Sequence, residues 1–224
     1  LQRSELNYRG IELAAQPGSG PAVTWQLLVD EPDAPDQLSG PRIVYAPGDG
    51  SYGVYAGVRW TDRAPELLQS LLVRGFEDST RIVGVGRTSS SVAGDFVLLS
   101  DLRAFQAEIV DGAPRVRVEL SARLLRASSN QAVAARVFAR ELPLPGRDVE
   151  SAIAGFEEAL DALVPEVVAW TLAAGDDGYP ERLRNYLGTQ APPILDGAGP
   201  TSLMVGPSLG VVGPIVVKAA SSPP

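Results

Sequence analysis

The chain has 224 residues, of which 45% are apolar, and this proportion is sufficient for a substantial hydrophobic core. Its formal net charge of −8 makes it poorly suited to bind the phosphate backbone of nucleic acids. The absence of cysteine and histidine excludes disulfides, thiolate chemistry, Cys/His zinc sites and histidine-based acid–base catalysis.

Three strands are predicted before the first helix. The segments Val23–Val29 and Arg42–Pro47 are short apolar runs between loops rich in Gly and Pro. The third segment, residues 53–60, alternates with a period of two, so its residues are divided between two faces. One predicted face carries Val54, Ala56, Val58 and Trp60, and the other carries Gly53, Tyr55, Gly57 and Arg59.

The first helix is predicted directly after this strand, because the apolar period changes from two to about four after Trp60. Asp62 stands where an N-cap is expected, and Pro65 falls in the first turn, where its missing N–H costs little. The helix should end within the residues EDST. Its apolar stripe consists of Leu67, Leu68, Leu71, Leu72 and Phe76.

A fourth strand is predicted at Arg81–Gly86, and residues 95–142 have the pattern of a three-strand antiparallel meander. The first strand of the meander, Phe96–Val110, changes phase between Ser100 and Ala104, which predicts a β-bulge. DGAP and ASSNQ provide the two turns. The middle strand directs Val116, Val118, Leu120, Ala122 and Leu124 inward. The last strand places Val133, Ala135, Val137 and Ala139 on one face and Arg136, Phe138 and Arg140 on the other.

A long second helix is predicted after Asp148, which can act as its N-cap. Its apolar seam is Val149, Ile153, Phe156, Leu160, Leu163, Val167 and Trp170, and Pro165 should kink or restart the helix. We therefore predict an N-terminal segment (1–22), a single α+β domain (23–174) and a Gly/Pro-rich C-terminal tail (175–224). The domain should contain a mainly antiparallel sheet packed by two helices, in the order β-β-β-α-β-β-β-β-α.

The sequence patterns that could indicate catalysis are incomplete. Gly206–Gly210 matches the nucleophile-elbow pattern G-x-S-x-G, but there is no histidine to act as a base, and Gly and Pro crowd both sides. Gly84–Arg87 lacks the glycine spacing of a phosphate-binding loop. Nothing in the sequence brings paired carboxylates such as Glu157 and Glu158 into an apolar cleft. We predict a protein that is not an enzyme, with no catalytic, cofactor-binding or metal-binding residues and no cofactor.

Tyr52, Tyr55, Arg59 and Trp60 form the candidate interface. Tyrosine, tryptophan and arginine are frequent anchors of protein interfaces, and Tyr55 and Arg59 are predicted to share one strand face. Ordinary packing of an aromatic strand against a helix is the alternative.

The segment RIVYAPGDGSYGVYAGVRWTDRAPELLQSLLVRGFEDSTRI resembles the core motif of the ABC-type transport auxiliary lipoproteins, the PqiC-like family. The later segments DFVLLSDLRAF and FEEALDALVPEVVAW resemble a strand and the last helix of that family, so the likeness covers about residues 23–174. The lipidated N-terminal cysteine of the family is not in this sequence, and the residues after Gly175 have no counterpart.

The resemblance implies an outer-membrane lipoprotein that faces the periplasm and is held by an N-terminal lipid. It implies partnership with an MCE-domain periplasmic protein and an inner-membrane permease in lipid transport, and assembly into a homo-oligomeric ring. Because the chain begins at Leu1, a signal peptide and a lipid-bearing cysteine are expected upstream. The tail or the Tyr55/Arg59 face is expected to form a subunit contact.

Two other function classes remain open. One is a periplasmic module that binds a small ligand or the cell wall, with Tyr55, Arg59 and Trp60 lining its groove. The other is a carboxylate-based hydrolase, for which the sequence offers no evident acid–base pair.

Overall fold

A computed structural model describes residues 6–90 and 92–179. The predicted tail from residue 180 onward, including the Gly206–Gly210 motif, lies outside these residues. The described strands are β1 (Asn7–Arg9), β2 (Val23–Val29), β3 (Arg42–Ala46), β4 (Gly53–Trp60), β5 (Ile82–Arg87), β6 (Phe96–Val110), β7 (Ala113–Arg126) and β8 (Gln131–Pro143). The described helices are α1 (Ala64–Asp78) and α2 (Val149–Gly178), and neither is long and apolar enough to cross a bilayer.

The eight strands form one mixed, curled sheet. β2 runs parallel to β5 and β6, β3 runs parallel to β6, and β1 runs parallel to β4. The pairs β3–β4, β6–β7 and β7–β8 are antiparallel. The sheet is therefore mixed, and the prediction of a mainly antiparallel sheet is wrong. The connection that includes α1 returns the chain so that β5 lies beside β2 in the same direction.

The predicted order of elements holds apart from one additional strand, β1. Its three residues all have exposed side chains, so they give no alternation of apolar and polar residues in the sequence. β1 is held by pairing with β4, where Tyr8 is in register with Arg59.

The meander of β6, β7 and β8 is confirmed. The register of β6 against β7 shifts between Leu102 and Ala104, where the phase change predicted a bulge. Asp111 and Gly112 have φ angles of 51° and 80°, as a two-residue type I′ hairpin requires. The five inward residues of β7 are each 0% exposed, and α2 packs across β7 and β8.

The predicted stripe of α1 is buried, and Pro65 lies in the first turn. The predicted cap is wrong by one residue. Arg63 is the N-cap, without a side-chain capping bond, and Asp62 instead accepts a hydrogen bond from Thr61 Oγ1 at 3.3 Å. The backbone carbonyl of Gly40 accepts from the Ala64 amide at 3.2 Å, so a loop replaces the missing cap.

The second helix begins where it was predicted, because Asp148 Oδ1 accepts a hydrogen bond from the Ser151 amide at 2.9 Å. The helix does not restart at Pro165 but continues for 30 residues to Gly178. A proline leaves the carbonyl four residues earlier without its helical donor. Here that carbonyl belongs to Asp161, and it accepts from Gln16 Nε2 at 3.3 Å.

Candidate functional site

A cavity of about 150 Å³ is lined by residues of β3, β4, β6 and β7 and of the segment before α2. Two of its residues, Tyr45 and Tyr55, have ring centroids 5.3 Å apart. The Tyr45 ring lies over Gly53, where an added Cβ would be 2.4 Å from Tyr45 Cζ. The other lining residues are Ala46, Ala107, Glu108, Ile109, Pro114, Leu144 and Arg147.

A bulge in β4 determines which side chains reach this cavity. Val44 of β3 is opposite Val54, whereas Arg42 is opposite Arg59, so β4 uses more residues than β3 over the same length. Gly57 lies within this stretch at a φ of 75°, a conformation that favours glycine. The alternation of faces is therefore reversed between the two halves of β4.

This reversal overturns the prediction that Tyr55 and Arg59 share a face. Tyr55 is half-buried against the core and lines the cavity, whereas Arg59 is exposed. Val54 is 42% exposed and Val58 only 6%, although a regular strand would place them on the same face.

Trp60 belongs to the core. Its side chain is 1% exposed, and its ring lies 5.8 Å from Phe105 and 5.4 Å from Phe156, measured between centroids. A residue this buried has no surface to offer a partner, so its place among the candidate interface residues is corrected.

The exposed residues of this region form a surface that we call the β1/β4 face: Tyr8, Tyr52, Val54 and Arg59. Three of them are large apolar or aromatic side chains: Tyr8 is 61% exposed, Tyr52 52% and Val54 42%. Tyr8 joins this face because it pairs in register with Arg59. Tyr8 was not predicted as an interface residue, because the three-residue strand β1 has no detectable period.

Two ionisable groups near the smaller cavity, Tyr55 and Asp148, have shifted pKa values. Burial raises the pKa of Tyr55, and the negative charge of Asp148 and the neighbouring Tyr45 raise it further, so the phenol stays neutral. Hydrogen bonds from the backbone amide and hydroxyl of Ser151 lower the pKa of Asp148 and keep it ionised. Among the described residues, no three His, Cys, Asp or Glu side chains are grouped so that they could hold a metal ion.

A larger cavity, of about 220 Å³, is lined by α1, α2 and residues 13–19. The segment 13–19 is tied to α2 by the Ala14 amide, which donates to Asp161 Oδ1 at 3.1 Å. It is tied to the end of α1 by the Gly18 amide, which donates to the Ser79 carbonyl at 3.1 Å. Buried apolar side chains and four charged ones line the cavity: Leu71, Val164, Val168, Leu172, Arg74, Asp78, Arg81 and Asp161.

A family model described as "ABC-type transport auxiliary lipoprotein component" matches residues 10–168. An uncharacterized protein of Bradyrhizobium diazoefficiens is 32% identical over 158 residues, which are 69% of this chain. The chain spans only 42% of the length of that curated relative.

Two crystal structures share the fold. A Xanthomonas campestris protein of the DUF330 family is 34% identical, with a TM-score of 0.73, and the match covers 77% of this chain and 98% of that one. A second, uncharacterized protein is 18% identical, with a TM-score of 0.56, over 74% of this chain and 97% of the other.

Proposed function

The chain belongs to the family of ABC-type transport auxiliary lipoprotein components, and on this basis we propose that it is a non-enzymatic auxiliary subunit of an MCE-type lipid-transport system. The observation that carries the proposal is the family match over residues 10–168. In this proposal the protein is anchored to the outer membrane by an N-terminal lipid, faces the periplasm and supports the integrity of that membrane. Its partners are an MCE-domain periplasmic protein and an inner-membrane permease.

The chemistry of the described residues supports a non-enzymatic role. The sequence has no histidine or cysteine, and Tyr55 is held neutral beside its cavity. Asp148 is ionised and serves as a helix cap. Both groups thus have a structural explanation, which agrees with the proposed non-enzymatic role.

We propose that the β1/β4 face is the contact surface for a protein partner or for a neighbouring subunit of a homo-oligomeric ring. Tyr8 and Tyr52 are exposed, and Tyr8 is in register with Arg59. Tyrosine and arginine are frequent anchors of protein interfaces. Tyr55 lies behind this face and supports it by packing against Tyr45.

The test uses the full-length lipoprotein, tagged and co-expressed with an MCE-domain protein and a permease of the same organism. We expect the MCE-domain protein to co-purify with the wild type. The double variant Tyr8→Ser/Tyr52→Ser should capture at least tenfold less of it. Val83→Ser is the matched control, because Val83 is 88% exposed on the distant strand β5.

A deletion strain provides the second readout for the transport role. We expect loss of the gene to raise the permeability of the outer membrane to detergents, and the wild-type gene to restore it. Wild-type protein that captures neither partner, together with unchanged permeability in the deletion strain, would contradict the proposal.

The larger cavity supports a second candidate, a periplasmic module that binds a small ligand or a cell-wall fragment. Its volume of about 220 Å³ and its mixture of apolar and charged lining suit a small amphipathic molecule. Native mass spectrometry of the purified chain should then detect a bound molecule that Ala169→Trp removes, since Ala169 lines the cavity. Ala173→Trp is the control, because Ala173 is exposed on the same helix and is not among the lining residues.

A further inference from the structure

The floor of the larger cavity is apolar and lies between the two helices. α1 and α2 come into close contact at Gly75, where an added Cβ would lie 2.6 Å from Val164 Cγ1. Leu71 of α1 and Val168 and Leu172 of α2 are buried and line the same cavity. A ligand that fills this space must therefore have an apolar part, because an apolar lining favours apolar surface that leaves water.

Arg81 lines the cavity with its guanidinium already oriented. Arg81 Nε donates a hydrogen bond to the Pro21 carbonyl at 3.1 Å. Two glycines leave little room beside this side chain, since an added Cβ would lie 2.7 Å from Arg81 Cδ at Gly18 and 3.3 Å from Arg81 Cζ at Gly20. Gly20 also has a φ of 112°, a conformation that favours glycine. The protein thus positions this guanidinium before any ligand binds.

The cations of this cavity are not neutralised by ion pairs. Within residues 6–90 and 92–179, Arg81 forms no ion pair, and its terminal nitrogens have no hydrogen-bond acceptor. Arg74 of α1 also lines the cavity, and in the described part of the chain it has neither an ion pair nor a hydrogen bond. A guanidinium presents a planar set of donors that matches a carboxylate or a phosphate. The two arginines are therefore available to bind an anionic group.

Two carboxylates also line the cavity. Asp161 is engaged by the protein, because its Oδ1 accepts from the Ala14 amide at 3.1 Å and its backbone carbonyl accepts from Gln16 Nε2 at 3.3 Å. Asp78 has no ion pair or hydrogen bond among the described residues, so this carboxylate by itself would favour a cation. The unengaged charged side chains are then two guanidiniums and one carboxylate, and this excess of positive charge favours an anion.

We propose that the larger cavity binds an amphipathic anion, which is a carboxylate or a phosphate monoester on an apolar chain. The anionic group contacts Arg74 and Arg81, and the apolar chain lies on the floor formed by Leu71, Val168 and Leu172. This proposal rests on the second candidate function, a module that binds a small ligand, and it gives the chemistry of that ligand. It does not depend on the transport role or on the β1/β4 face.

Four octyl compounds with the same chain and different headgroups test this chemistry. Octanoate, octyl phosphate, octylamine and octanol are each titrated into the purified 224-residue chain by isothermal titration calorimetry, at concentrations too low for micelles. We expect octanoate and octyl phosphate to bind at one site, each at least tenfold more tightly than octylamine and octanol. The tighter of the two anions identifies the headgroup as a carboxylate or a phosphate.

Substitutions of the arginines test where the anionic group binds. Arg81→Gln and Arg74→Gln should each weaken octanoate binding at least fivefold and leave the affinity for octanol unchanged. Arg42→Gln is the matched control, since Arg42 is exposed on β3 and does not line the cavity. Arg74 has no partner among the described residues, so Arg74→Gln should keep the wild-type melting temperature and gives a result even if Arg81→Gln perturbs residues 18–21.

A blocked cavity provides the last measurement. Ala169→Trp should abolish octanoate binding, and Ala173→Trp, on the same helix but outside the lining, should not. Octylamine that binds as tightly as octanoate would overturn the proposed chemistry. Unchanged octanoate binding by Ala169→Trp, or equal decreases for Arg42→Gln and Arg81→Gln, would overturn the site. Absence of binding by both anions would overturn this proposal, whereas another molecule that native mass spectrometry detects and Ala169→Trp removes would leave the second candidate function standing.

Discussion

Replacing Trp60 with alanine tests whether the most conspicuous aromatic residue of β4 stabilises the core or serves a partner. Trp60 is 1% exposed and contacts the rings of Phe105 and Phe156. A tryptophan side chain buries about 150–250 Å², which at about 25 cal/mol per Å² corresponds to about 4–6 kcal/mol. Values from buried area are upper estimates, and Trp→Ala substitutions in protein cores lower the free energy of unfolding by about 3–5 kcal/mol. We therefore expect Trp60→Ala to lower it by about 4 kcal/mol.

The measurement is urea unfolding of the 224-residue chain, followed by far-UV circular dichroism. Trp60→Phe keeps an aromatic ring in the cluster and should lower the free energy of unfolding by about 1–2 kcal/mol. If the alanine variant does not fold, the phenylalanine variant still gives a measurable unfolding transition. Tyr52→Ala is the matched control on the same strand region. Tyr52 is 52% exposed, so its replacement should change the free energy of unfolding by less than about 0.5 kcal/mol.

A buried Trp60 is refuted if Trp60→Ala lowers the free energy of unfolding by less than about 1 kcal/mol with an unchanged denaturant slope. Such a result would mean that the ring is not in the core, and Trp60 would again be a candidate interface residue. A loss of stability combined with normal partner capture by Trp60→Phe would support the assignment made from the structure.

Three further predictions concern the bulge, the second helix and its cap. Gly57→Val should lower the free energy of unfolding by about 1–2 kcal/mol or more, because a β-branched residue is strained at a φ of 75°. Gly57→Asn should lower this free energy by less. Equal decreases for the two variants in urea unfolding would contradict the prediction. Glu166→Gln should cost about 1 kcal/mol in the same assay because two arginines of β8 lose their ion pairs, whereas Glu158→Gln on the exposed side of α2 should have no measurable effect. The lowered pKa of Asp148 means that its capping contribution is present above the unfolded pKa of about 3.9 and is lost as the pH falls through the folded pKa. The melting temperature of the wild type should therefore fall more steeply below pH 4 than that of Asp148→Asn, because asparagine keeps a capping oxygen but has no charge to lose. Parallel curves of melting temperature against pH for the two proteins would contradict this prediction.

Part of the candidate site could be predicted from the sequence. The aromatic segment around Tyr55 was recognised, and Tyr52 and Arg59 are exposed as an interface would require. Trp60 was misplaced because alternation shows only that two faces differ, and burial depends on which element covers each face. Here α2 provides Phe156, a residue 96 positions later in the chain, as the ring that packs against Trp60.

The sequence alone determined the local elements of this protein. The stripe of α1, the alternation of β7, the Asp111–Gly112 turn and the Asp148 cap depend on spacings of two to four residues, and all were predicted. Their physical basis is that side-chain periodicity and capping act over one or two turns of chain.

Only the tertiary structure decided the relations between distant segments. The parallel pairing of β2 with β5 and β6 depends on where the connections return the chain, which neighbouring residues do not encode. The face of Tyr55 depends on the bulge at Gly57, formed where β4 pairs with β3. The carbonyl of Asp161, which Pro165 leaves without its helical donor, is paired with Gln16, 145 residues away in the sequence. These outcomes were beyond the reach of local patterns because each requires contacts formed only after the chain has folded.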